Sequence, residues 1–195
     1  MKSNMPSDTP PINLVVFAGF KRIAHGSAAD VLAHLRERKD DSPYLVFNEH
    51  TGEQLDLDVH NRGGAGAPAA NAETHEETPR GVGRPKLGVV AREVTLLPRH
   101  WEWLNRQPGG ASVALRRLVQ EASRVNADRD AVRASREAAY RFMTAIAGAL
   151  PGFEEATRAL FAGDQNRFEA LIDSWPPDLR IHLHKLSAAA WSTTE

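Results

Sequence analysis

Apolar positions follow two rhythms along this chain. From Ile12 to Val59 they come in short runs: Ile12 to Phe17 (INLVVF), Phe20 to Ala24 beyond Ala18-Gly19, and Tyr44 to Phe47 after Pro43. Past the His50-Thr51-Gly52 turn, Leu55, Leu57 and Val59 alternate with Asp56 and Asp58. Runs of this length between turn residues predict four strands, the last with one face inward. Between the second and third runs, Ala28, Val31, Leu32 and Leu35 recur at helical spacing. Ser27 precedes them with Asp30 three residues on, a capping box with Asp in place of Glu. The pattern therefore predicts a ββαββ unit over 12–59, a helix packed on a sheet.

The second rhythm has the period of helices. Val132, Ala139, Met143, Ile146 and Leu150 mark one face of a long helix that stops at Pro151-Gly152, with Ser135 on the same face. Phe153 to Ala162 predicts a helix closed by Gly163. Asp164 caps the next, which turns Phe168, Leu171, Ile172 and Trp175 inward. Pro176-Pro177 breaks the chain before a last helix carrying Leu179, Leu183 and Leu186. Residues 60–84 have almost no large apolar side chain and are rich in Gly, Ala, Pro and Glu. That composition predicts a flexible linker, and residues 1–11 are expected to be disordered.

The segment from Gly83 to Ala122 belongs to neither pattern. It reads as a basic arm, a strand over Val90 to Leu97, a helix opened by Pro98 and anchored by Trp101 and Leu104, a Gly109-Gly110 turn, and a second helix capped by Ser112. Leu115, Leu118, Val119 and Ala122 form the apolar stripe of that second helix. This order of parts resembles the ribbon-helix-helix DNA-binding proteins, with Gly110, Ser112, Leu115 and Arg116 matching their Gly, capping Ser and aliphatic-Arg pattern. The resemblance implies a homodimer joined through Val94, Leu96 and Leu97, whose two-stranded ribbon enters the major groove. It also implies DNA contacts by Arg84, Lys86, Arg92, Arg116 and Arg117. One departure stands out: either register of the strand leaves Val94 and Leu96, or Glu93 and Thr95, toward the groove, so the usual polar base readers are missing. Gly83-Arg84-Pro85 resembles the centre of an AT-hook, although linker punctuation explains a single copy as well.

Charge sharpens this picture. Between Arg80 and Arg124 stand nine basic residues and three acidic ones, in a chain of 195 residues whose formal net charge is −1. A basic middle between acidic flanks attracts phosphate locally. Hydrophobic residues make up 42% and charged residues 25%, values that place the chain among globular proteins. Cysteine is absent, which excludes disulfides, thiolate catalysis and Cys-type zinc sites. No membrane span and no signal peptide are read in the sequence, so a cytoplasmic address is expected.

The remaining candidates for chemistry are sparse. His182 and His184 lie two apart in a predicted helix and point to different sides, which makes them surface histidines and not a metal pair. Asp56, Asp58 and His60 share a strand face that is read as solvated. Glu154-Glu155 complements a helix N-terminus, and Trp101, Trp103, Phe142, Phe168 and Trp175 are read as core. No Walker loop, nucleophile elbow or HExxH motif occurs, and neither a cofactor nor a metal is expected.

At the level of the whole chain, the runs VFAGFKRIAHG, GRPKLGVVAREVTLLPRHWEWL, GGASVALRRLV and PGFEEATRALFAGD resemble a bacterial family known as a domain of unknown function. The expected class is α+β: a ββαββ domain at 12–59, a linker at 60–84, a ribbon-helix-helix-like module at 85–125 and an α-helical domain at 126–190. Three readings of function follow, in order. The first is a dimeric DNA-binding regulator, the second a dimerising interaction or ligand-binding protein, and the third an enzyme whose site is assembled from distant residues.

Overall fold

The computed structural model describes residues 12–40, 42–57, 90 and 92–191. The predicted flexible linker, the arm residues Arg84 and Lys86, and Asp58 and His60 lie outside that set. The described residues form two compact units, one made of 12–57 with 128–191 and the other of 90–127. The class is α+β: among the described residues, strands are confined to the N-terminal part and there are six helices.

In the first unit, β1 (Asn13–Ala18), β2 (Lys21–Ser27), α1 (Ala28–Glu37), β3 (Tyr44–Asn48) and β4 (Gln54–Leu55) follow in the expected ββαββ order. The sheet is antiparallel with strand order β2-β1-β3-β4. Helix α1 starts where the sequence says it should. The Ser27 side chain accepts from the Asp30 backbone N–H, and the Asp30 carboxylate accepts in return from the Ser27 N–H.

Strand β1 shows why its sequence is apolar without alternation. Leu14 and Val16 face α1, in a core with Val31, Leu35 and Val46. Val15 and Phe17 face the other way, into a second and larger core. A strand covered on both sides has no solvent face to mark with polar residues. Tyr44 and Val46 of β3 likewise pack into the first core, and Leu45 and Phe47 into the second.

The second core is built by the helices: α3 (Gly110–Ile146) from Asp128 onward, α4 (Phe153–Ala162), α5 (Gln165–Ile172) and α6 (Pro177–Leu186). Phe142 lies 5.3 Å from the Phe17 ring and 4.9 Å from that of Phe47. The N-terminal sheet and the C-terminal helices thus share one core, where the sequence suggested separate domains at 12–59 and 126–190. Ser135, buried, donates to the Leu186 carbonyl at 2.6 Å, and the Trp175 indole donates to the Pro151 carbonyl at 2.9 Å. Asp164 caps α5 through the Arg167 N–H, as read from the sequence.

The turn from β3 to β4 is fitted to α3. The Asn48 side-chain carbonyl accepts from the His50 and Thr51 N–H groups, and Gly52 follows with φ of +63°. A Cβ on Gly52 would lie 2.1 Å from the Ala138 carbonyl oxygen. Only glycine satisfies both the left-handed backbone and the close approach. Arg141 donates to the Thr51 carbonyl beside it.

The second unit consists of residues 90–97, α2 (Pro98–Asn105) and the first half of α3. Pro98 occupies the first turn of α2, as expected. Three expectations for this region change. Ser112 lies inside α3, which begins at Gly110, so it does not stand before the helix as a cap. The helix also runs unbroken past residues 125–126, because no Gly or Pro interrupts the stretch from Ala111 to Ile146. The strand expected over Val90 to Leu97 does not form: residue 90 and residues 92–97 lie outside any strand, so the ribbon of the expected module is not seen.

Candidate nucleic-acid interface

The second unit hides very little of its apolar surface. Among its described residues only Leu104 and Ala114 are buried hydrophobics, with Trp101, Leu115 and Leu96 partly covered. Val90, Val94, Leu97, Trp103, Val113, Leu118, Val119 and Val125 are between 43% and 73% exposed. Of the predicted inward stripe of the second helix, Leu118, Val119 and Ala122 are therefore exposed and Leu115 is partly covered, and Trp103 is not a core residue. Apolar side chains exposed in such number are unusual on the surface of a single unit.

The cations of this unit are exposed as well. Arg106 pairs with Glu102 and Arg124 with Glu121, each within its own helix and each exposed. Arg92, Arg99, Arg116 and Arg117 are exposed and make no ion pair among the described residues. The structure places Arg116 and Arg117 in the second turn of α3, behind a first turn entered through Gly109 and Gly110, both at positive φ. The sequence-derived pairing residues Val94 and Leu97 are half exposed and Leu96 is partly covered. Arg84 and Lys86 lie outside the described residues.

The first unit contains one group that the sequence reading misplaced. His182 is buried, with Phe17 and Phe142 rings 5.7 and 4.6 Å away and no hydrogen-bond partner for its Nε2. Burial pushes its pKa down to about 4; Glu49 opposes that shift, and the Lys185 and Arg22 charges add to it. Glu49, itself nearly buried, is held by the Lys185 ammonium at 2.6 Å. Burial alone would raise the Glu49 pKa, but Lys185, His50 and His182 keep it below the usual range. His184 is exposed, as expected. The signal for His182 was present: it stands three residues after Leu179 and four before Leu186, on the buried face of α6.

No group of three or more His, Asp or Glu among the described residues is placed to hold a metal ion. No helix among them is long and apolar enough to cross a membrane.

Taken together, the geometry defines an α+β protein with a well-packed sheet-and-helix body and a second helical unit that is arginine-rich and apolar on its surface. The chain belongs to a bacterial family described as "Uncharacterized protein conserved in bacteria (DUF2239)", whose model matches residues 13–187. Neither the curated proteins nor the solved structures include a match.

Proposed function

We propose that this protein is a DNA-binding regulator that works as a homodimer, paired through residues 90–127. The observation that carries the reading is one unit that exposes both kinds of surface at once. Apolar side chains at Val94, Leu97, Trp103 and Val119 lie uncovered, beside four arginines that no described carboxylate neutralises. Pairing two copies buries the first set and doubles the second, which is how a small module gains both a core and a phosphate-binding face. Arg116 and Arg117 serve as phosphate contacts, and Arg92, next to the pairing residues, is the candidate for reaching bases. Lys86 and Arg84 extend the same basic run toward the N-terminus.

A titration of mixed genomic DNA fragments at two salt concentrations tests this. With four phosphate contacts, affinity falls roughly a hundredfold between about 50 and 200 mM salt. Replacing Arg116 and Arg117 together by Ala weakens binding to all sequences alike and flattens the salt dependence. Absence of binding at low salt rejects the regulator. The second reading, a dimer that binds no DNA, is favoured by the apolar character of Val94 and Leu96 at positions where base readers would stand.

A further inference from the structure

A different surface, on the first unit, is a groove beside α3. Arg129, Val132, Arg133, Arg136 and Glu137 follow the three-and-four spacing of one face of α3. With Phe161 of α4 they line an open groove of about 380 Å³.

The two walls of the groove differ. On the α3 side Arg129 and Arg133 are exposed, above a buried Val132. On the α4 side Phe161 is 46% exposed and meets Tyr140, also part-exposed, at 5.5 Å. Arg136 ties the walls together at the foot: its Nε donates to the Ala190 carbonyl at 3.0 Å and Nη1 to the Phe161 carbonyl at 3.2 Å. Its Nη2 lies 2.8 Å from where a Cβ on Gly163 would sit. Arg136 is thereby explained as the cation that satisfies the C-terminal end of α4. Arg129 and Phe161 are not explained by packing.

The electrostatics leave room for an anion. Two carboxylates stand near the groove, and both are engaged: Asp130 with Arg133 at 2.9 Å and Glu137 with Arg141 at 3.2 Å. Arg129 makes no ion pair among the described residues, and Arg136 is met by carbonyls alone. The Arg133–Asp130 pair is exposed on both sides, so exchanging its carboxylate for another costs little.

We propose that this groove binds an extended acidic peptide segment of a partner protein, in the pattern acid–apolar–acid. Arg129 and Arg133 are one turn apart, about 6 Å along the helix axis. Residues i and i+2 of an extended strand are about 6.6 Å apart and point the same way. The side chain between them points to the opposite wall, where Phe161 offers an apolar surface. A nucleic-acid strand matches this less well, because Phe161 is the single aromatic residue among those lining the groove and the Glu137 carboxylate lines it too. The proposal uses none of the residues assigned to DNA, so failure of one reading leaves the other intact.

The test is a titration of the full-length ¹⁵N-labelled protein with acetyl-Gly-Glu-Phe-Glu-Gly-amide at low salt, followed by NMR. The expected result is saturable shifts of the amides of 129–137 and 161. The Gln-Phe-Gln and Glu-Gly-Glu peptides then bind about fivefold more weakly or worse. Arg129→Glu, an exposed position, abolishes the shifts without changing Tm. Equal binding of the three peptides, shifts confined to other residues, or no saturation at millimolar peptide overturns the proposal. So does a single-stranded oligonucleotide that moves the same amides at lower concentration.

Discussion

The two units spend their apolar residues in opposite ways. In the first, Val15, Phe17, Phe47, Phe142, Met143, Leu160 and Phe168 are all at or near zero exposure, drawn from strands and helices far apart in sequence. In the second, the described large side chains are mostly outside, and among hydrophobic residues only Leu104 and Ala114 are buried. A residue of one type therefore means different things in the two places. A buried Phe142 reports on folding, whereas an exposed Trp103 or Val119 tests the association proposed for this unit. Mutations separate these meanings by the size and the kind of their effects.

The largest effect is expected where the first unit has least freedom. Gly52→Ala must strain a left-handed backbone and push against the Ala138 carbonyl. A loss of about 3 kcal/mol or more follows from the two contributions, read as a lowered urea midpoint. A variant as stable as the wild type means that the β3–β4 turn does not sit against α3.

Next comes acid. His182 stays neutral in the folded chain down to about pH 4, while in the unfolded chain it takes up a proton near 6.5. The unfolded state thus binds more protons across that window. Stability is full above pH 6.5 and falls as pH drops toward 4, by up to about 3 kcal/mol. The charges facing it, Glu49, Lys185 and Arg22, remain in a His182→Leu variant, so the difference between the two pH profiles isolates the imidazole. Parallel profiles would remove the buried histidine from the account.

The smallest change in stability belongs to the second unit. Val119→Ser replaces a side chain that is 62% exposed and is expected to move the urea midpoint by less than about 0.5 kcal/mol. Its effect lies in mass: light scattering at tens of micromolar shows a dimer for the wild type and a shift toward monomer for the variant. A wild-type monomer, or a variant that unfolds, would erase the contrast between the units.

Local signals in the sequence translated well into local structure. Ser27 with Asp30 and Asp164 with Arg167 are caps that need only a few neighbouring residues to form, and both formed. The ββαββ order followed from period and punctuation, although the strand read from the alternation of Leu55, Leu57 and Val59 is confined to Gln54–Leu55 among the described residues. What failed was long-range. Nothing near Phe17 in sequence announces Phe142, so the sheet and the C-terminal helices looked like separate domains. The central segment shows the converse limit. Gly110, Ser112, Leu115 and Arg116 match a short pattern, but the helix they open continues for lack of a breaker, through Ala122 and on past Val132. His182 was misjudged because its partner His184 drew attention to spacing for a metal. The row formed by Leu179, His182 and Leu186 carried the better signal.

Strand β1 carries a consequence for synthesis. Its NLVVFA segment is uncharged, free of proline and apolar toward both sides, the composition of an adhesive, aggregation-prone peptide. In the finished protein β2 and β3 flank it and cores cover both its faces. On the ribosome the α1 side is covered early, but Phe142 follows Phe17 by 125 positions. At roughly 5–20 residues per second that is about 6–25 s in which one face of the nascent sheet waits for its helices. Chaperone demand in this family should therefore track the time between the first strand and the last helices, and slow-translating codons between them should lower soluble yield.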